Sequence, residues 1–247
     1  MCVICENPEL NMGTLTDTPK ADNHRVRVAK ERRTRMRAHL IECALVVFAH
    51  RKRDGSVIDS VTNAADVSRG TFYNYFDTPE ALLEAVAVEV GREMLQVVDP
   101  VVRDIPQADA RLASGVLLCL GLARKLPTLA SFIGLGGPAA LSENELLHTY
   151  LPRDIHAGME AGQFLPVDPR VAFDLVVGPV MAGLHTFVST NVKPDFTAVL
   201  TQGILMALGV EHDRAHLLAY QPIAEIELPS DSLLQRAESR AAHFPDE

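Results

Sequence analysis

The stretch Asp66–Phe76, DVSRGTFYNYF, decides how this chain is read. The chain holds nine Phe, four Tyr and no Trp, and four of those thirteen rings fall in the five positions from Phe72 to Phe76. At helical spacing Phe72 and Phe76 share one face while Tyr73 and Asn74 point elsewhere. Two phenyl rings would thus anchor a short helix inward. Arg69, Thr71, Tyr73, Asn74 and Tyr75 fall wholly or partly on its outer flank, an array of donors, acceptors and amphipathic rings suited to phosphates and base edges. Gly70 removes bulk there, so that backbone and an opposing surface come close.

Working outward, the turn DVS precedes this helix, whose start is expected near Ser68. Upstream, VIDSVTNAA predicts a second short helix with Ile58, Val61 and Ala65 on one side, and Ser56 with Asp59 resembles a capping pair. Further upstream a helix is predicted from about Val28 to His50. Met36, Leu40, Ala44 and Phe48 repeat every four residues, with Ile41 and Leu45 beside them, as one apolar stripe. Arg35, Arg37 and His39 fall off that stripe. The run RKRDGS ends this helix, with Gly55 as its left-handed stop. Downstream, Asp77–Thr78–Pro79 breaks the chain, and Pro79 suits the first position of a fourth helix. Helix, short helix, tight turn and short helix within about fifty residues outline a helix-turn-helix.

Charge is distributed unevenly along the chain. The net charge is −9, yet Arg25 to Arg53 holds ten Lys/Arg against Glu31 and Glu42, a balance of +8, which leaves −17 for the rest. Such a chain does not engage a polyanion with its whole surface, but one end of it can. Arg25, Arg27, Lys30, Arg32 and Arg33 are expected to form an arm along a nucleic-acid backbone or minor groove. Residues 54–78 by contrast carry four Asp and only Arg69, so affinity must lean on the basic segment.

Apolar content of 47% with fifteen Gly and fifteen Pro predicts a folded chain. No secretory signal is read at the N-terminus. The four cysteines, at 2, 5, 43 and 119, lack a framework spacing, and the Cys2–Cys5 pair lacks a second half-site for zinc. The most membrane-like segment, VAFDLVVGPVMAGLHTFV, is broken by Asp174, Pro179 and His185 and is read as a buried helix, not a span. No P-loop, nucleophile elbow or dinucleotide fingerprint occurs, and His148, His156 and His185 have no ligand spacing. The expectation is no enzyme, no cofactor and no metal.

The segment AADVSRGTFYNYFDTPEALLEAV resembles the signature of the tetracycline-repressor (TetR) family, in which A-G-V-S-x-G-T-x-Y-x-x-F-x-x-K-x-x-L recurs. The likeness runs from about Arg35 to Val86. It implies that Ser68, Arg69, Gly70, Thr71, Tyr73, Asn74 and Tyr75 belong to a recognition helix in the major groove of an operator, with Arg33, Arg35 and Ser56 as further contacts. Asp66 stands where the family has its turn glycine and Pro79 where it has a lysine. Val57 replaces a common Thr or Ser, leaving Ser56 as the nearby hydroxyl.

The remainder reads as further helices without strand-type alternation, so the fold class is all-α: an N-terminal three-helix DNA-binding domain and a C-terminal helical ligand-binding and dimerisation domain. The boundaries expected are a disordered tail over 1–24, the helix-turn-helix with its basic arm over 25–78, the effector and dimerisation domain over 79–228, and a C-terminal tail over 229–247. DARLASGVLLCLGLARKL is apolar nearly all round and is placed centrally; Pro152 implies a kinked helix or two helices. The resemblance implies an effector pocket among the middle helices. Its candidate lining is Cys119, Leu122, Phe132, Tyr150, His156, Met159, Met181 and His185, which suits an apolar or weakly polar small molecule. FIGLGGPAA is expected as an entrance loop. A homodimer through helices 169–188 and 194–208 is expected, with Gly178, Ala182, Gly183, Ala198, Gly203 and Ala207 permitting close approach. These features describe a cytoplasmic, ligand-responsive repressor with no membrane partner. The alternative is an all-α small-molecule binding or adaptor protein whose helix-turn-helix no longer binds DNA.

Overall fold

The computed structural model describes residues 19–50, 56–136 and 146–244. Among them it contains eleven α-helices, one π-helical turn and no strand. The expected stop at Gly55, the Cys2–Cys5 pair and residues 137–140 of the expected entrance loop lie outside the described residues, whereas its residues 132–136 belong to the helix Pro127–Gly136 and not to a loop. Two compact units divide the chain at Ala38/His39.

Helix α1 runs Pro19–His50, beginning nine residues before the expected Val28. In residues 24–38 it is largely exposed, with Glu31 between Arg27 and Arg35 at 3.7 Å each. Such i,i+4 pairs favour helix over an extended arm. From Leu40 to Val47 every residue is buried, so the expected single stripe is instead burial on every side. The cause is that this half of α1 is enclosed. His39 and Cys43 reach the carbonyls of Ala65 and Ala64, Phe48 meets Phe132 at 6.4 Å, and Glu42 meets Arg236 and Arg240.

Helix α2 spans Val57–Ala64 and α3 spans Arg69–Tyr73. Ser56 caps α2 through Asp59 N–H, and Ser68 caps α3 through Thr71 N–H. Asp66 turns the chain between them with a left-handed φ of 52°. Helix α4, Pro79–Val102, has Pro79 in its first turn, as the sequence predicts, and Thr78 as its cap.

Helix α5, Ala108–Lys125, is central and touches α4 and all five helices that follow it up to α10. These are α6 (Pro127–Gly136), α7 (Leu151–Glu160), α8 (Pro169–Ser189), α9 (Phe196–Ala207) and α10 (His212–Ala219). Pro152 sits in the first turn of α7, and the turn Leu146–Tyr150 precedes it. Polar staples hold the layer around α5. Gln163 Oε1 accepts from Ala108 N–H at its N-terminus, and Asp109 is gripped by Arg214 of α10 at 2.8 and 3.1 Å.

The stretch 229–247, expected as a tail, contains α11 over Leu233–Ala241, with Leu234 and Ala237 buried. It packs on α4 and α6, because Leu234 N–H donates to Glu93 and Glu238 accepts from Thr128 N–H at the start of α6.

Candidate functional site

The two faces of α3 separate. Phe72 is fully buried and Phe76 nearly so, with ring centroids 6.1 Å apart. Ser68, Arg69, Gly70, Tyr73 and Asn74 are exposed, and Thr71 and Tyr75 are half-buried. Tyr73 leaves 52% of its surface in solvent, its ring packed edge-on to Phe72 at 5.5 Å. A Cβ on Gly70 would meet only Ser68 Oγ, at 3.7 Å, so internal packing does not demand a glycine there.

The sequence does not disclose the partner of Arg69. Its Nε and Nη2 donate to the two oxygens of Asp59, on α2, at 2.7 and 2.6 Å. The pair is exposed, Arg69 at 64% and Asp59 at 43% of their side-chain surface. The hydrogen bonds and charge of Arg69 hold the Asp59 carboxyl below its ordinary value, and Asp59 in turn raises Arg69. Ten positions separate them across a turn, too far for a helical-spacing rule to find.

A second carboxylate is held inside the protein. Glu42 of α1 is buried and accepts from Arg236 Nε at 2.8 Å and Arg240 Nε at 2.9 Å, both on α11. Burial pushes its carboxyl up, but the two arginines outweigh that and leave it below the usual glutamate range. This clasp ties the helix-turn-helix bundle to the C-terminal helix.

Between α4, α5, α7 and α8 lies a cavity of about 150 Å³. Its apolar wall includes Met94, Val98, Val116, Val177, Met181 and Leu184, and its polar part is formed by Asp99, Arg111, Tyr150, Arg153 and Asp154. Asp154 accepts from Arg111 Nε at 2.9 Å and Arg153 Nε at 3.0 Å, and the Arg153 guanidinium lies over the Tyr150 ring at 5.0 Å. Cys119 is on the wall, where burial pushes its thiol up to about 11 and keeps it protonated.

Of the lining residues expected from sequence, Cys119, Tyr150 and Met181 do line this cavity. The other five do not, because helical phase turns them elsewhere. Leu122 borders a smaller cleft beside Ile223, Phe132 is packed against Phe48, and Met159 is half-buried off the wall. His156 is exposed and paired with Glu160 at 3.3 Å, and His185 is exposed. Arg111, in the first turns of a mainly apolar helix, was the signal available for the polar part, since a semi-buried cation requires a counter-charge.

Helix α8 is long and apolar enough by composition to cross a membrane, yet only 22% of its apolar window is buried within the chain. The helix expected to be buried is thus mostly uncovered within the chain. Val171, Gly178, Ala182 and His185 of α8 lie exposed at helical spacing, as do Val199, Gly203 and Met206 of α9. Gly183 behaves differently from the other small residues: a Cβ there would meet Leu200 of α9 at 2.6 Å, so it serves packing within the chain.

The chain resembles known proteins in both halves. A family model for the C-terminal domain of tetracyclin-repressor-like proteins matches residues 108–221. The HTH-type transcriptional repressor DhaR of Mycobacterium sp. (strain GP1) is 35% identical over 72 residues, which is 29% of this chain and only 36% of the length of that repressor. The crystal structure of RolR with its ligand resorcinol matches at 26% identity and TM-score 0.66, over 80% of this chain and all of that one. The regulator FadR of Bacillus subtilis, in complex with stearoyl-CoA, shares the fold at 21% identity and TM-score 0.59, over 70% of this chain and 98% of that one. With the helix-turn-helix at one end and the matched domain at the other, the chain is similar to regulators of the tetracycline-repressor (TetR) family.

Proposed function

We propose that this protein is a cytoplasmic, homodimeric transcriptional repressor, released from its DNA operator by a small effector bound between α4, α5, α7 and α8. The observation that carries the reading is the sorting of α3. Two buried phenyl rings fix it, and its opposite flank offers Arg69, Gly70, Tyr73 and Asn74 to solvent. Ser56 and Ser68 cap α2 and α3, and their hydroxyls also engage the Asp59 carboxylate and Thr71 Oγ1, which holds them at the exposed start of each helix. Arg33 and Arg35, exposed on α1, add positive charge.

One short helix offers too little contact for specific binding, whereas a two-fold dimer presents two about 34–36 Å apart, one turn of DNA. The uncovered faces of α8 and α9 supply the apolar, small-residue surface that such a dimer needs, as a four-helix interface.

The effector is proposed as a single-ring, weakly polar molecule such as a phenol. A cavity on the order of 150 Å³ holds a benzene-sized guest. Tyr150 and the Arg111–Asp154–Arg153 cluster offer hydroxyl-binding groups, and the similar RolR was crystallised with resorcinol. Met94, Val98 and Asp99 belong to α4, which begins directly after α3. Filling the cavity shifts α4 and with it the spacing of the two recognition helices. Linkage then requires DNA to weaken effector binding by the factor by which effector weakens DNA binding. Titration calorimetry with resorcinol, with and without the protein's own upstream DNA, tests this. Unequal affinities are expected, and equal ones rule the coupling out.

A further inference from the structure

We propose that Asp59 is a specificity-determining positioning residue: by gripping Arg69 side-on it turns the arginine from a phosphate contact into a reader of guanine. The inference rests on the reading of α3 as a recognition helix.

The geometry argues for it in two steps. Asp59 engages the Nε–Nη2 edge of the guanidinium at 2.7 and 2.6 Å. The fork is planar and rigid, so a grip on that edge fixes the direction of the other one, Nη1 with the second proton of Nη2. Arg69 is the first residue of α3 after its cap, at the end of a recognition helix that meets base edges. In the major groove only guanine presents two adjacent acceptors, O6 and N7, and a two-proton fork is its complement.

Charge supplies the second step. A free arginine is drawn to the nearest phosphate, which carries no sequence information. Here the formal charge of Arg69 is cancelled by Asp59, and a phosphate approaching Arg69 also meets that carboxylate. A guanine edge is neutral and is not repelled. The pair thus trades general attraction for discrimination, in a segment whose only cation, between residues 54 and 78, is Arg69.

The test uses the full chain and a pool of randomised duplex DNA, with the wild type, Asp59→Asn and Arg69→Lys selected in parallel. The wild type is expected to recover a motif with one required guanine per half-site. Asp59→Asn should lose that requirement and Arg69→Lys should weaken it, because a lysine keeps the charge and its donors without the planar fork. Replacing that guanine by 7-deazaguanine, which lacks the N7 acceptor, should weaken the wild type about tenfold and leave Asp59→Asn nearly unchanged. On a duplex of arbitrary sequence Asp59→Asn should bind more tightly, with a salt slope steeper by about 0.9 per protomer as Arg69 turns to a phosphate. A purely structural pair would move the melting temperature and none of these readouts.

Identical guanine discrimination in wild type and Asp59→Asn overturns the proposal while the DNA-binding reading stands. Failure of the wild type to recover any motif removes that reading, and this inference with it. Should Asp59→Asn not fold, the deazaguanine series on the wild type decides: insensitivity at every selected guanine is the overturning result.

Discussion

Asp59 and Glu42 stand on neighbouring helices, and each is held by arginine, yet their surroundings make them opposite devices. Asp59 and Arg69 lie in solvent, where water screens the attraction and the outer edge of the arginine stays open to a further partner. Glu42 keeps only 10% of its side chain exposed and is enclosed by Arg236 and Arg240 from a helix nearly two hundred positions away. The same hydrogen bonds hold a presented group in one place and a tertiary contact in the other. Burial, not bond length, decides between recognition and fastening.

That contrast can be broken most forcefully from beneath α3. Phe72→Ala empties a fully buried ring site and is expected to cost about 3–5 kcal/mol. In thermal melts the transition should fall by about 10 °C at roughly 2–4 °C per kcal/mol, with loss of DNA binding. Retained binding would mean that α3 does not depend on its anchor.

Next in size is the fastening itself. Glu42→Gln leaves two arginines without a counter-charge; since both are a third or more exposed and can rehydrate, the loss should be about 2 kcal/mol, below the range for fully buried pairs. The pH dependence follows from the sign of the shift. The folded-state carboxyl lies below its ordinary 4.5, so its contribution is complete above about that pH and is lost as pH falls through the folded value. Denaturant midpoints of wild type and Glu42→Gln should differ at neutral pH and converge in acid. Parallel curves would show that Glu42 is not the titrating group.

A smaller effect sharpens the recognition side. With Arg69 neutralised, non-specific affinity must come from the basic segment. Deleting residues 1–33 is expected to flatten the plot of log K against log salt by several units while sequence preference survives. Three units amount to about eightfold in affinity per doubling of salt. An unchanged slope would show those residues idle in binding. Smallest of all, Asp59→Asn should leave the melting temperature indistinguishable from wild type, because an exposed pair adds little to stability.

Much of this was legible from spacing alone. Phe72 and Phe76 had to share a face, Ser56 had to cap, a helix had to start near Ser68, and Pro79 had to open another, since each follows from contacts within one turn of chain. Asp66 could be assigned to the turn for the same reason: its left-handed φ is a local property. The cavity was legible only in part. Helical phase within a mixed apolar helix is ambiguous, and His156 and His185 turned outward while Arg111 and Asp154 turned in.

By itself, the sequence determined an all-α chain with a helix-turn-helix near its N-terminus and a basic segment before it. Local spacing and charge are written into neighbouring residues and need no third dimension. Only the tertiary structure decided that Arg69 belongs to Asp59, that Glu42 belongs to Arg236 and Arg240, and that 229–247 holds a packed helix instead of a tail. Those pairings join positions 10 to 198 residues apart, and which distant charges meet is fixed by how helices pack, a property no single segment carries.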